Sequence, residues 1–405
     1  MLRSFFQRPA PGNASSRAVF VVAASLALAM LLSSAPSALY PMYQQRWQMS
    51  AVGLTGAFTA YGVAVLVTLI ACGKLADRLR ERRWLLVPGL ALVVLGALAA
   101  AWGDSPAWLY ASRILAGLGA GVLTGSANAA LLDLLPPASQ RRAATLATMA
   151  FTSGGALGPV ISGIALRLKW APLTTPYVLI AVLSLAAIVA MVRMPWPAAE
   201  ADAAPLAETP LRQGVGAAAR APAFVLAAAT LTLGWAIVSV FLALGPLMAL
   251  TYAGISRPSV AGLTVTGFQI AAGATQLLGR SLPRVRLCLI GGVALALALF
   301  AAALSAWFVW PWVFVLALLC AGVGYGASFV GAAGLVNHTA PPACRASLVS
   351  LFYLLGYIGN AVPVMVIGLA ADHIGMRAAV SGFAVLMLAA AAGIVAYARV
   401  HPVDA

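Results

Sequence analysis

The feature that most restricts this chain is a series of twelve apolar runs. They lie near residues 18–42, 51–72, 84–103, 107–135, 141–166, 176–192, 221–250, 258–279, 287–308, 312–338, 346–371 and 376–398. A helix that crosses a bilayer needs about 20 predominantly apolar residues, and each run is of that order. Strands of a membrane barrel would show alternating segments of about ten residues, whereas these runs are longer and do not alternate. Hydrophobic residues make up 63% of the chain and charged residues 8%, against about 45–50% and 25% in a soluble domain. Lipid is therefore the solvent that fits, and the expected fold class is an all-α polytopic membrane protein.

The formal net charge of +15 would suggest nucleic-acid binding in a soluble protein. Here the placement of the charges argues against it. With the N-terminus threaded inside, 18 of the 24 basic residues fall in inner segments and 5 in outer loops, leaving Arg113 within a span. Positive residues favour the cytoplasmic side, so both termini are expected in the cytoplasm and no nucleic-acid partner is expected. The stretch "SSAPSA" at 33–38 offers small residues for a signal-peptide cleavage site, but losing the first span would put the remaining charges out of phase. The cysteines, Cys72, Cys288, Cys320 and Cys344, show no paired spacing, so neither a disulfide nor a metal site is indicated.

One long polar break, residues 193–220, carries three of the nine acids and several prolines and reads as a cytoplasmic linker. It separates a six-span half (1–192) from a second one (221–405). The halves repeat at an offset of 205 residues. "AGLGAG" at 116–121 matches "AGVGYG" at 321–326, "PPA" recurs at 136–138 and 341–343, and Gly154 and Gly163 match Gly359 and Gly368. Several coincidences at one offset indicate a duplicated unit. Parallel six-helix repeats in a membrane suggest two bundles that rock about a site at their interface. The glycines at i, i+2 and i+4 fit close helix packing in lipid. They do not form a nucleotide-binding loop, since they lie inside an apolar span and the chain has no G-x-x-x-x-G-K-[ST].

Between spans two and three stands "GKLADRLRERR", residues 73–83. It resembles motif A of the major facilitator superfamily, roughly G-x-L-A-D-R-x-G-R-R, through Gly73, Leu75, Ala76, Asp77, Arg78 and Arg82. "SRILAGLGAG" in span four is similar to motif B, with Arg113 as its arginine. "GGALGPVISG" in span five resembles motif C of the antiporter branches through Gly154, Gly158, Pro159 and Gly163, with Ser162 in place of one glycine. The resemblance covers the whole chain and implies twelve helices in two pseudo-symmetric bundles. It further implies that Asp77 caps the start of helix eleven, latching the cytoplasmic side, since an anion is favoured at a helix N-terminus. Orientation anchoring by the same charges is the plainer reading. The family's second motif-A glycine is Arg80 here and the next arginine is Glu81, so Arg80 or Arg82 has to pair with the acid ending helix four, Asp133. His338, the repeat mate of Asp133, reads as a pH sensor or as a helix-end hydrogen-bonding group. Motif C implies a hinge and seal at Pro159, with its glycines packing against the opposite half.

A charge deep in a span is a functional hypothesis by default. Arg113 reads as a proton-coupling residue, a partner for backbone carbonyls, or a counter-ion for an anionic cargo. All nine acids lie in loops or at span ends, so the mid-membrane carboxylate that many drug:proton antiporters of the family carry in helix one is missing. Candidate lining residues are Tyr61, Gln269, Gln276, Tyr325, Tyr353, Tyr357 and Asn360, whose aromatics and amides suit an apolar pocket with sparse polar contacts or helix-packing glue. The resemblance implies an inner-membrane secondary transporter, a monomer, that exports a small amphiphilic molecule such as a drug or siderophore against protons. Uptake of a small organic solute is the alternative. No residue constellation suggests catalysis and no cofactor is expected.

Overall fold

In a computed structural model, residues 16–76, 81–136, 139–196, 212–341 and 345–403 are described. They form fourteen α-helices and no strand. In order these are α1 (Ser16–Ser34), α2 (Tyr40–Trp47), α3 (Ala51–Ala76), α4 (Arg83–Trp102), α5 (Pro106–Leu134), α6 (Gln140–Leu168), α7 (Thr175–Arg193), α8 (Arg212–Ala219), α9 (Pro222–Thr251), α10 (Pro258–Leu278), α11 (Arg284–Phe308), α12 (Pro311–Thr339), α13 (Arg345–Ile374) and α14 (Met376–Val400). In lipid every backbone N–H and C=O must be satisfied within the segment, which makes a long apolar run helical whatever its propensities in water. Proline at the first position starts α5, α9, α10 and α12, where its missing N–H costs nothing and its φ is already helical. Gly375, at φ 84°, supplies the left-handed turn between α13 and α14 that an L-residue resists.

Among the described residues, eleven helices are long and apolar enough to cross a membrane. The expected span at 258–279 is also present as a helix, α10, but it is less apolar. Thr264, Thr266, Gln269, Thr275 and Gln276 interrupt it, and all five are buried or half-buried. A helix that turns polar groups inward loses mean hydropathy without losing its place in a bundle. The chain is thus a multi-pass membrane protein.

The chain divides into two compact units, Met1–Leu39 with Ala60–Leu206, and Tyr40–Thr59 with Ala207–Ala405. The segment Tyr40–Thr59 thus belongs to the second unit, although most of that unit comes from the later part of the chain. The linker between the halves is helical over α8, and its residues 197–211 lie outside the described set.

The duplicated glycines do equivalent work in each unit. A Cβ on Gly117 or Gly121 would strike α3 at Tyr61 and Thr68, and one on Gly119 would meet Gly89 of α4. In the second unit Gly322 and Gly326 sit against Phe268 and Ala272 of α10, and Gly324 against Gly291 of α11. Three glycines at i, i+2 and i+4 thus let one helix touch two neighbours, backbone against backbone.

Candidate functional site

In the first unit the first span is broken. Helix α1 stops at Ser34, a 3₁₀ turn covers Ala35–Ala38 with Pro36 inside it, and α2 begins at Tyr40. A helix end leaves carbonyls without intrahelical donors, and here the neighbours supply them. Arg113 Nη1 donates to Ser33 O at 2.8 Å, Ser162 Oγ to Ala35 O at 3.0 Å, and Leu39 N to Pro36 O at 2.9 Å.

Arg113 is 1% exposed. Its guanidinium carbon stands 4.5 Å from the centroid of the Tyr61 ring, a cation–π contact strengthened by burial, and its Nε has no hydrogen-bond partner. Of the readings open from sequence, the geometry displays the carbonyl contact. The structure brings Arg113 and Tyr61 together, a pairing invisible to helical spacing because they lie on different helices.

The motif C residues pack against this break. A Cβ on Gly154 would strike Ala27 O, and one on Gly158 would strike Ser34 Oγ and come within 2.7 Å of Ala35 N. The close approach was expected toward the opposite half; these tightest contacts are with α1 of the same half. At Gly158 the reason is the break, whose backbone lies directly against it, and at Gly154 it is the close crossing of α6 on the unbroken part of α1. Ser162, which replaces a glycine of the motif, adds a hydroxyl donor at the same place.

Of the motif A residues, Gly73 lies near the end of α3, while Asp77 and Arg78 lie outside the described residues. Arg82 Nε donates to Asp133 Oδ2 at 2.6 Å, tying the turn after α3 to the end of α5. Both side chains are partly exposed, 22% and 38%, so the pair positions more than it stabilises. His338 is exposed at the last turn of α12.

In the second unit an aromatic cluster forms around Trp235 of α9. Tyr357 meets it edge-on at 4.8 Å and Tyr353 lies at 6.4 Å. Tyr325 of α12 lies 5.9 Å from Phe268 and 6.0 Å from Phe329. The Trp235 indole Nε1 is buried beside Tyr325. Gly356 and Gly359 of α13 allow this approach, since a Cβ on either would meet Leu231 or Thr232 of α9 at 2.7 Å. Gln269, Gln276 and Asn360 are half-buried on α10 and α13. Trp235 was missed by sequence reading, because a single tryptophan in an unbroken apolar run has no helical-spacing partner to mark it. A separate apolar cavity of about 530 Å³ lies among α9, α13 and α14, lined by Phe224, Ala228, Thr232, Leu355, Pro363 and Met387 among others. None of the expected lining residues reaches it. Chemically, the Trp235 cluster offers π faces and an indole N–H, a surface for planar apolar groups or organic cations.

These features define a helical membrane protein of two repeated bundles, one with a buried arginine at a broken helix and one with an aromatic cluster. The Major Facilitator Superfamily model matches residues 21–364, and the chain belongs to that family. Among curated proteins it is similar to the multidrug efflux pump LfrA of Mycolicibacterium smegmatis, with 32% identity over 153 residues, 36% of this chain and 30% of LfrA. It is also similar to the methyl viologen resistance protein SmvA of Salmonella typhimurium, 32% identical over 108 residues, 26% of this chain and 22% of SmvA. The matches thus span less than a third of the length of these relatives. Among solved structures it resembles a bacterial homologue of the human lysosomal transporter Spinster in an inward-facing, unoccupied conformation. That likeness has a TM-score of 0.76 at 16% identity, covers 95% and 97% of the two chains, and concerns the fold alone.

Proposed function

We propose that this chain exports small amphiphilic molecules with a planar aromatic part across the cytoplasmic membrane, by alternating access driven by the proton gradient. The carrying observation is the half-buried aromatic cluster around Trp235, held by glycine-mediated helix contacts in a bundle whose sequence has no mid-span carboxylate. Such a surface takes a cationic or neutral aromatic by its π faces, without a formal counter-charge. The efflux and resistance activities in the names of LfrA and SmvA support the outward direction. The arginine-rich inner segments support a topology with both termini in the cytoplasm. In this reading the chain acts as a monomer, Asp77, Arg78 and Gly73 belong to the latch on the cytoplasmic side with Arg82 and Asp133, and Gly154, Gly158, Pro159 and Gly163 to the hinge.

The test is accumulation of methyl viologen and ethidium in cells lacking their main efflux pumps, with and without the chain. Lower accumulation that a protonophore abolishes supports export. Extracts and spent medium from the same cells, compared by untargeted mass spectrometry, extend the test to endogenous cargo. A medium solute consumed only when the chain is present would reverse the direction and establish uptake instead.

A further inference from the structure

The start of α3 carries three N–H groups that no helical carbonyl can accept from. Ser50 Oγ, at the usual capping position, takes the one from Gly53 at 3.2 Å. The other two go to a residue more than three hundred positions away. Ala51 N donates to Asp372 Oδ1 at 2.8 Å and Val52 N to Asp372 Oδ2 at 3.0 Å. Asp372 stands in the last turn of α13, so one carboxylate with both oxygens engaged closes the end of a helix that is remote in sequence. Charge-assisted bonds of this kind are the stronger ones, and the helix dipole favours an anion there.

Below the cap the two helices touch at Gly368, where an added Cβ would strike Thr55 Oγ1. Thr55 is 0% exposed. One turn further, Thr59 Oγ1 donates to Ala361 O at 3.4 Å. The segment Tyr40–Thr59 accordingly packs with the second unit, while the rest of α3 packs with the first. In a transporter whose bundles rock about a central site, one helix cannot stay bound in both units through the whole cycle.

We infer that Asp372 is a positioning residue for transport, the releasable fastening that holds the first turns of α3 on α13 and lets go once per cycle. This inference rests on the transport reading above. Asp372 is exposed, which suits that role. Water can replace the two N–H groups when the cap opens and the carboxylate when α3 leaves, so release strands no buried polar group.

The experiment labels a cysteine at Thr55 with a maleimide, in the purified full-length chain in nanodiscs, with peptide-level mass spectrometry as the readout. Asp372→Asn weakens the acceptor, and Ala51→Pro removes one donor at a helix position that tolerates proline. Each is expected to raise labelling of Thr55→Cys by about tenfold, the weight of one charge-assisted hydrogen bond. Asp372→Glu should return labelling toward the parental rate. Cys288, 0% exposed in the core of the same unit, should label no faster in any variant. Parental labelling in either Asp372→Asn or Ala51→Pro, or a parallel rise at Cys288, overturns the inference. No cargo enters this measurement, so its failure leaves the export reading standing, and absence of export would leave the cap measurable.

Discussion

Replacing Arg113 by methionine separates its structural contribution from its contribution to transport. Methionine is similar in length, flexible and apolar, so it fills the space left by the stem. The change removes one hydrogen bond from a charged donor to Ser33 O, about 1.5–3 kcal/mol. It also removes the contact over the Tyr61 ring, about 2 kcal/mol when desolvated. Against this it relieves the chain of a charge deep in a span, which costs about 2.5–3.5 kcal/mol at a helix centre. The difference is a net loss of about 0–2.5 kcal/mol on these magnitudes. The thermal midpoint in detergent should therefore fall by only a few degrees and membrane yield should persist. Transport of methyl viologen into everted vesicles should nevertheless fall by more than the tenfold that about 1.4 kcal/mol represents. Arg113→Lys keeps the charge but not the planar fork and should retain part of the activity. Parental transport by Arg113→Met would refute the reasoning, leaving Arg113 as a brace for the broken helix and nothing more.

At Gly158 an added methyl collides with Ser34 and the backbone of the break, so Gly158→Ala should cost about 1–3 kcal/mol as overpacking, measured as the thermal midpoint of the purified protein. The control is Gly125→Ala in α5, where nothing lies within 4 Å of an added Cβ; it should be neutral or slightly stabilising, since alanine is the better helix former. A double-mutant cycle on Arg82 and Asp133, read by the same assay, should give a coupling of no more than about 1 kcal/mol, because both side chains are partly exposed. Trp235→Ala should raise the apparent KM for an aromatic cation about tenfold with kcat little changed, and Trp235→Phe should restore much of it.

The cluster around Trp235 shows how far sequence reading reaches. Tyr353 and Tyr357 at i and i+4 announced an aromatic face on α13, because helical periodicity is local. That this face meets a tryptophan on α9 is a matter of how two helices cross. The crossing is decided by Gly356 and Gly359 facing Leu231 and Thr232, and no spacing rule on either helix alone gives that register. Arg113 is a parallel case. Its burial followed from a charge in an apolar run, but its partners did not, since the break in α1 that frees Ser33 O shows in sequence only as "SSAPSALYP" within an otherwise continuous span.

Asp372 marks the limit most clearly. In sequence it is one of nine acids, at the end of a span, indistinguishable from a solvated residue. Only the folded chain brings it to the first turn of α3. The sequence by itself determined the solvent, the twelve spans, the duplication and the family, because hydrophobic run length, charge placement and repeat offset are properties of the chain that any packing must respect. The tertiary structure decided which polar groups meet. Among so many apolar helices, pairing partners are chosen by close backbone contact at small residues and by the few carbonyls and N–H groups that a helix cannot satisfy itself. Those choices join residues up to 321 positions apart.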